Sequence, residues 1–256
     1  MPGLSVIVIT RNEGVNIEAA LSSVGWADER IVVDAGSTDD TAERARKLGA
    51  RVEVRDWPGY GAQKNHAAAL ASHDWILSID ADERVTPQLA SEITRVLDAR
   101  PTAVGYRMPR VAWYLGRWVR STDWYPDYQM RLYDRRSARW SDREVHESVQ
   151  ADGPVAYLRS ELQHYPFRDL SRHLEKIDRY STLAARQLQR EGHRPGVGGM
   201  VVYPPAAFLR NYVLRGGFRD RGAGLIISTL NAYYVFLKFA KLWELGRGTG
   251  LGRPGP

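Results

Sequence analysis

Residues 75–83 read WILSIDADE and decide the fold of this chain. An apolar run of strand length ends there in three acids within four residues. Burying the run is favourable, whereas a buried unpaired carboxylate loses its hydration, so we expect the acids at the rim of a cleft, where the strand leaves the core. Asp80 and Asp82 alternate with Ala81 and point the same way in an extended chain. Their repulsion favours a divalent cation with oxygen ligands, and a strand followed by a helix capped near Thr86 is the alternative interpretation.

Strands and helices alternate through the first 100 residues. Strands are predicted at 4–9, 30–33, 51–54 and 75–79, and helices at 16–24, from a cap at Ser37 or Thr38 to 48, at 60–72 and at 86–99. The short connections predict an α/β fold, with a parallel sheet and helices on both faces. Ligands of such sheets bind beyond the carboxyl ends of the strands. Three polar clusters fall there, at 10–13, 34–39 and 80–83.

The pattern changes after residue 100. Between 104 and 158, short segments rich in aromatic residues and arginine alternate with turns, which predicts mixed or antiparallel strands that extend the sheet and cover the cleft. Helical spacing returns over 170–188, and glycine and proline at 192–199 predict a break. A basic, apolar tail follows, and the last ten residues are predicted to be disordered because they are rich in glycine and proline.

Composition sets outer limits on function. The chain has 256 residues, of which 43% are hydrophobic and 26% charged, as in ordinary globular proteins. The absence of cysteine excludes disulfides, a thiolate nucleophile and a cysteine metal site, and is compatible with a reducing cytoplasm. The residues before the first strand lack the pattern of a signal peptide, and no uninterrupted apolar run reaches about 18 residues, so we expect neither a leader nor a spanning helix. The net charge of +6 suits nucleic acid, anionic lipid or a phosphorylated substrate.

Three stretches together resemble the ordered signatures of family 2 glycosyltransferases with the GT-A fold: SVIVITRNE at 5–13, VVDAGSTDDT at 32–41 and DADE at 80–83. The chain further resembles lipopolysaccharide core glycosyltransferases of the WaaE/KdtX type, through YPDYQMRL at 125–132, His146-Glu147, His164 and the aromatic tail. The resemblance covers nearly the whole chain. It implies a GT-A (Rossmann-like) mixed, mostly parallel sheet flanked by helices over 1–168, with a nucleotide-binding half (1–100) and an acceptor-side half (101–168). A C-terminal helical, membrane-associating extension (169–245) and a disordered tail (246–256) would follow.

The resemblance implies a nucleotide-sugar donor, usually a UDP-sugar, a divalent metal (Mn²⁺ or Mg²⁺) and inversion at the anomeric carbon. A cation that bridges the leaving diphosphate stabilises the charge that develops as the glycosidic bond breaks. Asp82 is implied as the principal metal ligand and His164 as a second, although a histidine packed at a strand end is the alternative for His164. Asp80, with Ala81 beside it, is implied to contact the ribose or to act through water.

The nucleoside is expected over the first two strand ends. Asp34 and Glu13 match the family's acids near the uracil and ribose, and Thr10 and Arg11 would line the same pocket. A turn or cap shared with Ser37 is the alternative for Asp34.

Two basic residues are candidates for the diphosphate or the acceptor. Lys64 begins a helix near the cleft and could reach a phosphate, with an exposed surface lysine as the alternative. Arg131 could pair with a phosphate or an acceptor anion, with a structural salt bridge as the alternative.

Inversion by single displacement needs a base that takes the proton of the acceptor hydroxyl. Glu147 matches the family position for that base, and Asp127 is the competing candidate. His146 would orient the donor or Glu147.

The tail between 203 and 245 combines aromatic with basic residues. Polar residues within 225–243 form a narrow stripe at helical spacing, comprising Ser228, Asn231, Lys238 and Lys241. An interfacial helix with lysines reaching toward anionic headgroups has this pattern. Packing of the stripe on the catalytic domain or on a second subunit, as in a homodimer, is the alternative.

The sequence therefore predicts a metal-dependent inverting glycosyltransferase, peripheral at the cytoplasmic face of a bacterial inner membrane. It would move a sugar, with glucose a candidate, from a nucleotide-sugar to a lipid-linked saccharide such as the lipopolysaccharide inner core. A sugar-phosphate nucleotidyltransferase is a weaker alternative because TRNE, rather than a glycine-rich loop, follows the first strand. A non-enzymatic binder of nucleic acid or lipid would not gather acids at strand ends, where they repel phosphates, so no nucleic-acid partner is expected.

Overall fold

A computed structural model describes residues 2–141, 148–193 and 196–247. The chain divides into two compact units, one of Met1–Val111 with Asp127–Tyr165, and one of Ala112–Pro126 with Pro166–Pro256. The division is therefore not a single cut, because a short excursion after Val111 belongs with the C-terminal helices.

The first half of the first unit alternates strands and helices as predicted. Its elements are β1 (Leu4–Thr10), α1 (Ile17–Ser23), β2 (Glu29–Asp34), α2 (Thr41–Lys47), β3 (Arg51–Val54), α3 (Tyr60–Ala69) and β4 (Trp75–Asp80). The four strands are parallel and lie in the order β3-β2-β1-β4. β1 is central and all seven of its residues are buried, which explains its unbroken apolar pattern.

The second half adds mostly antiparallel pairings, as the sequence predicted. Its elements are β5 (Glu83–Val85), α4 (Pro87–Asp98), β6 (Gly105–Tyr114), β8 (Asp127–Asp134), β9 (Ala138–Trp140), β10 (Val149–Ala151), β11 (Val155–Tyr157) and β12 (Leu162–His164). The sheet continues as β4-β8-β6-β12-β5, with β8 antiparallel to β4 and β6 and with β11 parallel to β6. β9 and β10 form a separate antiparallel ribbon.

Hydrophobic side chains fill both faces of the sheet because neighbouring strand residues point to opposite sides. Val6 and Val8 of β1 pack in one cluster with Leu77 and Ile79 of β4, whereas Ile7 and Ile9 pack with Ile31 and Ile76 in the other. α4 covers the first cluster with Leu89, Ile93 and Leu97, one turn apart. The side chain of Thr86 accepts a hydrogen bond from the Leu89 amide, which confirms the predicted cap.

The second unit is mainly helical. It contains β7 (Arg117–Val119), which pairs with the end of β6, and the helices α5 (Leu170–Arg190), α6 (Val197–Leu209) and α7 (Arg221–Gly246). A π-helical turn at Arg210–Leu214 and a 3₁₀ turn at Gly217–Asp220 connect α6 to α7. By length and composition alone, the helical stretch Gly217–Gly246 could cross a membrane, which the search for an uninterrupted apolar run did not anticipate.

The polar stripe of α7 faces its own unit in part. Ser228 is fully buried, and the Nζ of Lys241 donates to the Asp178 carboxylate and to the hydroxyls of Ser181 and Thr182 on α5. The expectation that the stripe lysines reach toward headgroups is therefore wrong for Lys241. A helical period identifies a polar face but not the partner, and here α5 supplies acceptors within hydrogen-bond reach.

A buried histidine lies among aromatic rings in this unit. The Tyr114 hydroxyl and Nδ1 of His173 are joined by a hydrogen bond of 2.7 Å, and the Phe167 ring stacks on the imidazole with 4.2 Å between ring centroids. Burial, with a smaller contribution from the charge of Lys176, lowers the pKa of His173 to about 4. Burial also raises the pKa of Tyr114 to about 12.

This histidine should make stability depend on pH. An unfolded chain with an ordinary histidine pKa of 6.5 binds the proton more readily than the folded chain, so stability is complete above pH 6.5 and falls as the pH drops toward 4. The free energy of unfolding of the wild type, measured in urea, should fall by on the order of 2 kcal/mol between pH 7.5 and pH 5.

In His173→Gln, whose amide oxygen can still accept from Tyr114, this loss should shrink markedly. His193→Gln, at a side chain that is 61% exposed, is the matched control and should keep it. Equal pH dependence in all three proteins would contradict the assignment.

Candidate active site

The first two polar clusters are tied to each other at the carboxyl ends of β1 and β2. The amide of Asn12 donates to the Ser37 hydroxyl over 2.8 Å, and the amide of Thr38 donates to Oδ1 of Asn12 over 2.8 Å. Asn12 has a φ of 55°, in the left-handed region that asparagine tolerates. These bonds hold both loops together at one edge of the sheet.

Asp34 ends β2 opposite Thr10 of β1 and is 1% exposed. Its carboxylate accepts from the amide of Ser37 over 2.8 Å and from the hydroxyl of Ser37. The turn role is therefore present, whereas the predicted cap of α2 by Ser37 or Thr38 is wrong, because α2 begins at Thr41 and these side chains bond to the loops instead.

The other predicted nucleoside residues lie on the neighbouring loop. Arg11 is exposed, and the Glu13 carboxylate accepts from the side-chain amide of Asn16 over 2.8 Å. Thr10 is 4% exposed, and its hydroxyl has no hydrogen-bond partner among the described residues. An unsatisfied buried hydroxyl at a strand end suits a ligand that supplies the missing partner.

Asp80 ends β4 on the other side of β1, opposite Ile9. Two strand spacings separate it from Asp34, about 10 Å. Its carboxylate pairs with Nζ of Lys64 at 3.0 Å and with Nη2 of Arg131 at 2.5 Å. Burial alone would raise the pKa of Asp80, but the charges of Arg131 and Lys64 outweigh it and hold that pKa well below its usual range.

Both cations of this pair are nearly inaccessible, each with a side chain that is 3% exposed. Lys64 is therefore not an exposed surface lysine. Arg131 forms the structural salt bridge that was its alternative role. The positive charges of Lys64 and Arg131 stabilise the Asp80 carboxylate.

Glu83 extends the pairing and was not selected from the sequence as a site residue. Its fully buried carboxylate accepts from Arg131 at 2.6 Å and from Arg110 at 3.0 Å, and also from the amide of Asp80 at 2.9 Å. Arg110 continues to Asp127 through Nε and Nη2, at 2.9 and 2.6 Å. The acidic triplet at 80–83 was the available signal for Glu83, and arginine at two positions of an otherwise uncharged strand, 107 and 110, was the signal for Arg110.

The resulting chain of ion pairs alternates three cations with three acids and is neutral as a whole. In order, its members are Lys64, Asp80, Arg131, Glu83, Arg110 and Asp127. We call this set of six side chains the ion-pair chain. Neutrality allows six charged groups to share a region in which an unpaired charge would be costly.

Trp140 of β9 contacts Lys64, the first member of the ion-pair chain. Its ring lies under Nζ of Lys64, with 4.1 Å between Nζ and the ring centroid. The side chain of Asn65 donates to the Trp140 carbonyl and accepts from its amide, both over 2.9 Å. Next to Lys64, the fully buried Gln63 has both amide atoms without a partner among the described residues.

Asp82 lies beside this network rather than within it. Its Oδ2 is 3.3 Å from Nε2 of His164, and its carbonyl accepts from the amide of Tyr165 over 2.9 Å. β12 runs antiparallel to β5 with His164 opposite Glu83, which places the imidazole against the acidic turn. The predicted pair of Asp82 and His164 is thus brought together by strand pairing across 82 residues of chain.

This pair fits a divalent metal in part. The described residues contain no group of three acidic or histidine side chains that could hold an ion, so Asp82 and His164 are the two donors that they offer here. Adjacent ligands of an octahedral Mg²⁺ are about 3 Å apart, close to the observed 3.3 Å. Magnesium usually completes its shell with water and substrate phosphates, which a two-donor site permits.

The two candidate bases differ in what the structure says of them. Asp127 is engaged on both oxygens, because Oδ2 accepts from Arg110 and Oδ1 accepts from Gln129 over 2.6 Å. Glu147 and His146 lie outside the described residues. Ala81 is buried, with a methyl side chain that can offer a ligand only contact.

Comparison with known proteins now identifies the family. A model of glycosyl transferase family 2 matches residues 5–164, which include the loops after β1 and β2, the ion-pair chain and the Asp82–His164 pair. The chain belongs to glycosyl transferase family 2. This membership favours glycosyl transfer over the nucleotidyltransferase and the non-enzymatic binder.

Relatives extend the similarity of this family 2 glycosyltransferase beyond the matched domain. It is 31% identical to the lipopolysaccharide core biosynthesis glycosyltransferase LpsC of Rhizobium meliloti (strain 1021), over 94% of this chain and 92% of the relative. It is 31% identical to an uncharacterized glycosyltransferase of Rickettsia typhi, RT0209, over 96% and 88%. A crystal structure of glucosyl-3-phosphoglycerate synthase from Mycobacterium tuberculosis with phosphoglyceric acid is 21% identical over 75% of this chain and 81% of that one, with a TM-score of 0.51. The GT-A fold is confirmed.

Removal of Arg131 tests how much the ion-pair chain contributes to stability. Arg131→Met leaves Asp80 and the fully buried Glu83 without their shared cation, so it should destabilise the protein by about 3–5 kcal/mol in urea unfolding followed by circular dichroism. Lys47→Met removes a cation that pairs with Glu43 on an exposed face and should change stability within measurement error. Similar losses in both variants would show that the buried pairing has no special weight.

Proposed function

We propose that this family 2 glycosyltransferase is a metal-dependent inverting enzyme that moves a sugar from a UDP-linked donor to a lipid-linked saccharide of the lipopolysaccharide core type, with glucose a candidate sugar. The Asp82–His164 pair carries the proposal, since Asp82 follows the carboxyl end of the parallel strand β4, His164 meets it from β12, and the acids beside them already have their charge balanced. The similarity to LpsC supports the acceptor class. The enzyme would work peripherally at an anionic membrane surface, on the cytoplasmic face of the inner membrane.

The donor would lie across the three strand ends. Asp34, Thr10, Arg11 and Glu13 would hold the nucleoside, because they line the joined loops of β1 and β2. Asp80 and Ala81 would border the ribose and the first phosphate.

Asp82 and His164 would hold Mn²⁺ or Mg²⁺, which when bound neutralises the charge of the leaving diphosphate. Lys64 and Arg131 add positive potential from behind Asp80 and need no rearrangement to do so, because their partners already orient them.

Glu147 would take the proton of the acceptor hydroxyl while that oxygen attacks the anomeric carbon and the bond to the diphosphate breaks. Asp127 is less suited to this step, since its oxygens already accept hydrogen bonds from Arg110 and Gln129. Because its carboxylate already accepts from Arg110, Asp127 instead suits a role in holding the Arg110 side chain in position.

Loss of Asp82 should abolish metal-dependent turnover. In a donor-hydrolysis or transfer assay with UDP-sugars and manganese, Asp82→Ala should lower kcat by at least about 100-fold and raise the manganese concentration for half-activity, because one of two protein donors is gone. His164→Ala should move both quantities in the same direction. Asp98→Ala, at an exposed acid on the end of α4, is the control. Full activity of Asp82→Ala would sink the metal assignment.

The two candidate bases can be separated by isosteric amides. Glu147→Gln should lower kcat for transfer by about 10²–10⁴-fold with little change in the donor KM, since an amide cannot accept the proton. Asp127→Asn should reduce kcat less, together with stability, because it weakens the Arg110 pairing. The reverse order would identify Asp127 as the base.

A further inference from the structure

The helix α6 presents an apolar surface that the described part of the chain leaves exposed. Its sequence, VGGMVVYPPAAFL, contains no charged side chain, and none of its residues is buried. Val201 and Val202 are 65% and 62% exposed. Thirteen consecutive uncharged residues without a buried side chain are unusual on a protein surface that faces water alone.

The same surface continues into the turn that follows α6. Leu214 is 80% exposed, and Val213 and Phe218 are each half exposed. Tyr203 and Leu209, which are 54% and 56% exposed, lie in sequence between the valines of α6 and this turn. The apolar patch therefore spans one helix and the adjoining turn and is not a set of scattered residues.

α7 supports this patch from behind. The ring of Tyr203 stacks on that of Phe239 with 5.0 Å between centroids, and a Cβ added to Gly199 would lie 3.0 Å from the same phenylalanine. Lys241 and Ser228 of α7 are hydrogen-bonded within the unit, so two of the four polar side chains of its stripe are already satisfied there. α6 is thus held as an outer element.

Positive charge borders the apolar patch. Arg210 and Arg215 follow α6 with side chains that are 57% and 53% exposed, and Arg219 and Arg221 are also exposed. Residues 196–247 contain seven arginines and lysines and two acids. Asp123 pairs with Arg210 and Arg215, so it partly offsets the charge.

The occupant with matching chemistry is an anionic bilayer. A protein partner of ordinary size would exchange about ten hydrogen bonds across the contact, yet Tyr203 is the one side chain of α6 that can form them. Lipid headgroups pair with a rim of arginines, and acyl chains accept apolar side chains without hydrogen bonds.

Two prolines indicate how deep α6 can enter. Pro204 and Pro205 have no N–H, so the carbonyls of Met200 and Val201 lose their helical donors. Unpaired carbonyls are costly in the hydrocarbon core but can bond water among the headgroups. α6 therefore suits the interfacial layer.

We infer that α6 and the turn through Phe218 form a wedge that inserts into the interfacial layer of one leaflet of an anionic membrane, with Arg215 and Arg219 against the headgroups. This deepens the proposed function, on which it rests for the meaning of the membrane, by naming the contacting element. α6 takes the role that the sequence analysis gave to the stripe of α7.

Vesicle binding of the full chain tests the wedge. Flotation with phosphatidylcholine vesicles, with and without phosphatidylglycerol, should show binding that needs the anionic lipid and weakens with salt. The triple variant Val201→Ser, Val202→Ser, Leu214→Ser should bind at least about tenfold more weakly. The control pair Val15→Ser and Val54→Ser, 62% and 58% exposed in the first unit, should bind as the wild type.

The cation contribution is tested separately. Arg215→Gln with Arg219→Gln should reduce binding to the anionic vesicles by about tenfold and leave the weaker binding to phosphatidylcholine unchanged. Unaltered binding by the triple serine variant would overturn the wedge. Resistance of the wild type to alkaline extraction would also overturn it, because it would show a spanning helix. A dimer that forms without lipid and that the triple variant dissociates would overturn it too, because it would show a subunit contact.

Donor hydrolysis in the same proteins keeps the two proposals distinguishable. The triple serine variant should hydrolyse a soluble UDP-sugar as the wild type does. A wild type that binds vesicles but hydrolyses no UDP-sugar would remove the proposed reaction and leave the membrane contact in place.

Discussion

The buried alternation of charge from Lys64 to Asp127 is the interaction on which the first unit depends. Four strands and a helix each contribute to it, since its members lie on α3, β4, β5, β6 and β8. Glu83 and Arg131 are almost inaccessible, so neither can be deprived of its partner without leaving a charge in a poorly hydrated place. The antiparallel half of the sheet is thereby locked to the parallel half at one edge.

This arrangement also determines what the site can do. With Asp80, Glu83 and Asp127 matched by cations, Asp82 is the acid of the turn whose described side-chain partner is a histidine, and an imidazole can share a metal with it. In the proposed reaction, the cations that pair with Asp80 are already oriented, so the site would meet a diphosphate with little reorganisation, which is the condition for strong electrostatic stabilisation. Thr10 and Gln63 add buried polar atoms that lack partners among the described residues.

The second unit applies the opposite logic. Lys241 of α7 bonds to polar groups of α5, whereas α6 has almost no polar side chain that needs a partner. A large exposed apolar surface with a polar rim marks a site of interaction with another molecule or with a membrane. The chain thus joins a unit built around balanced charge to a unit with an exposed apolar face, which in our proposal contacts lipid.

By itself, the sequence determined the parallel half of the sheet, the α4 cap, the clustering of polar residues at strand ends and the pairing of Asp82 with His164, because period, turn chemistry and family signatures are written in local residues or in their order. The tertiary structure alone decided that Arg131 and Lys64 balance Asp80, that Glu83 and Arg110 belong to the same network, and that Lys241 turns inward while α6 remains uncovered. These outcomes depend on which strands and helices become neighbours. The electrostatic cost of burying a charge is settled by partners that lie tens of residues away, and no local pattern specifies them.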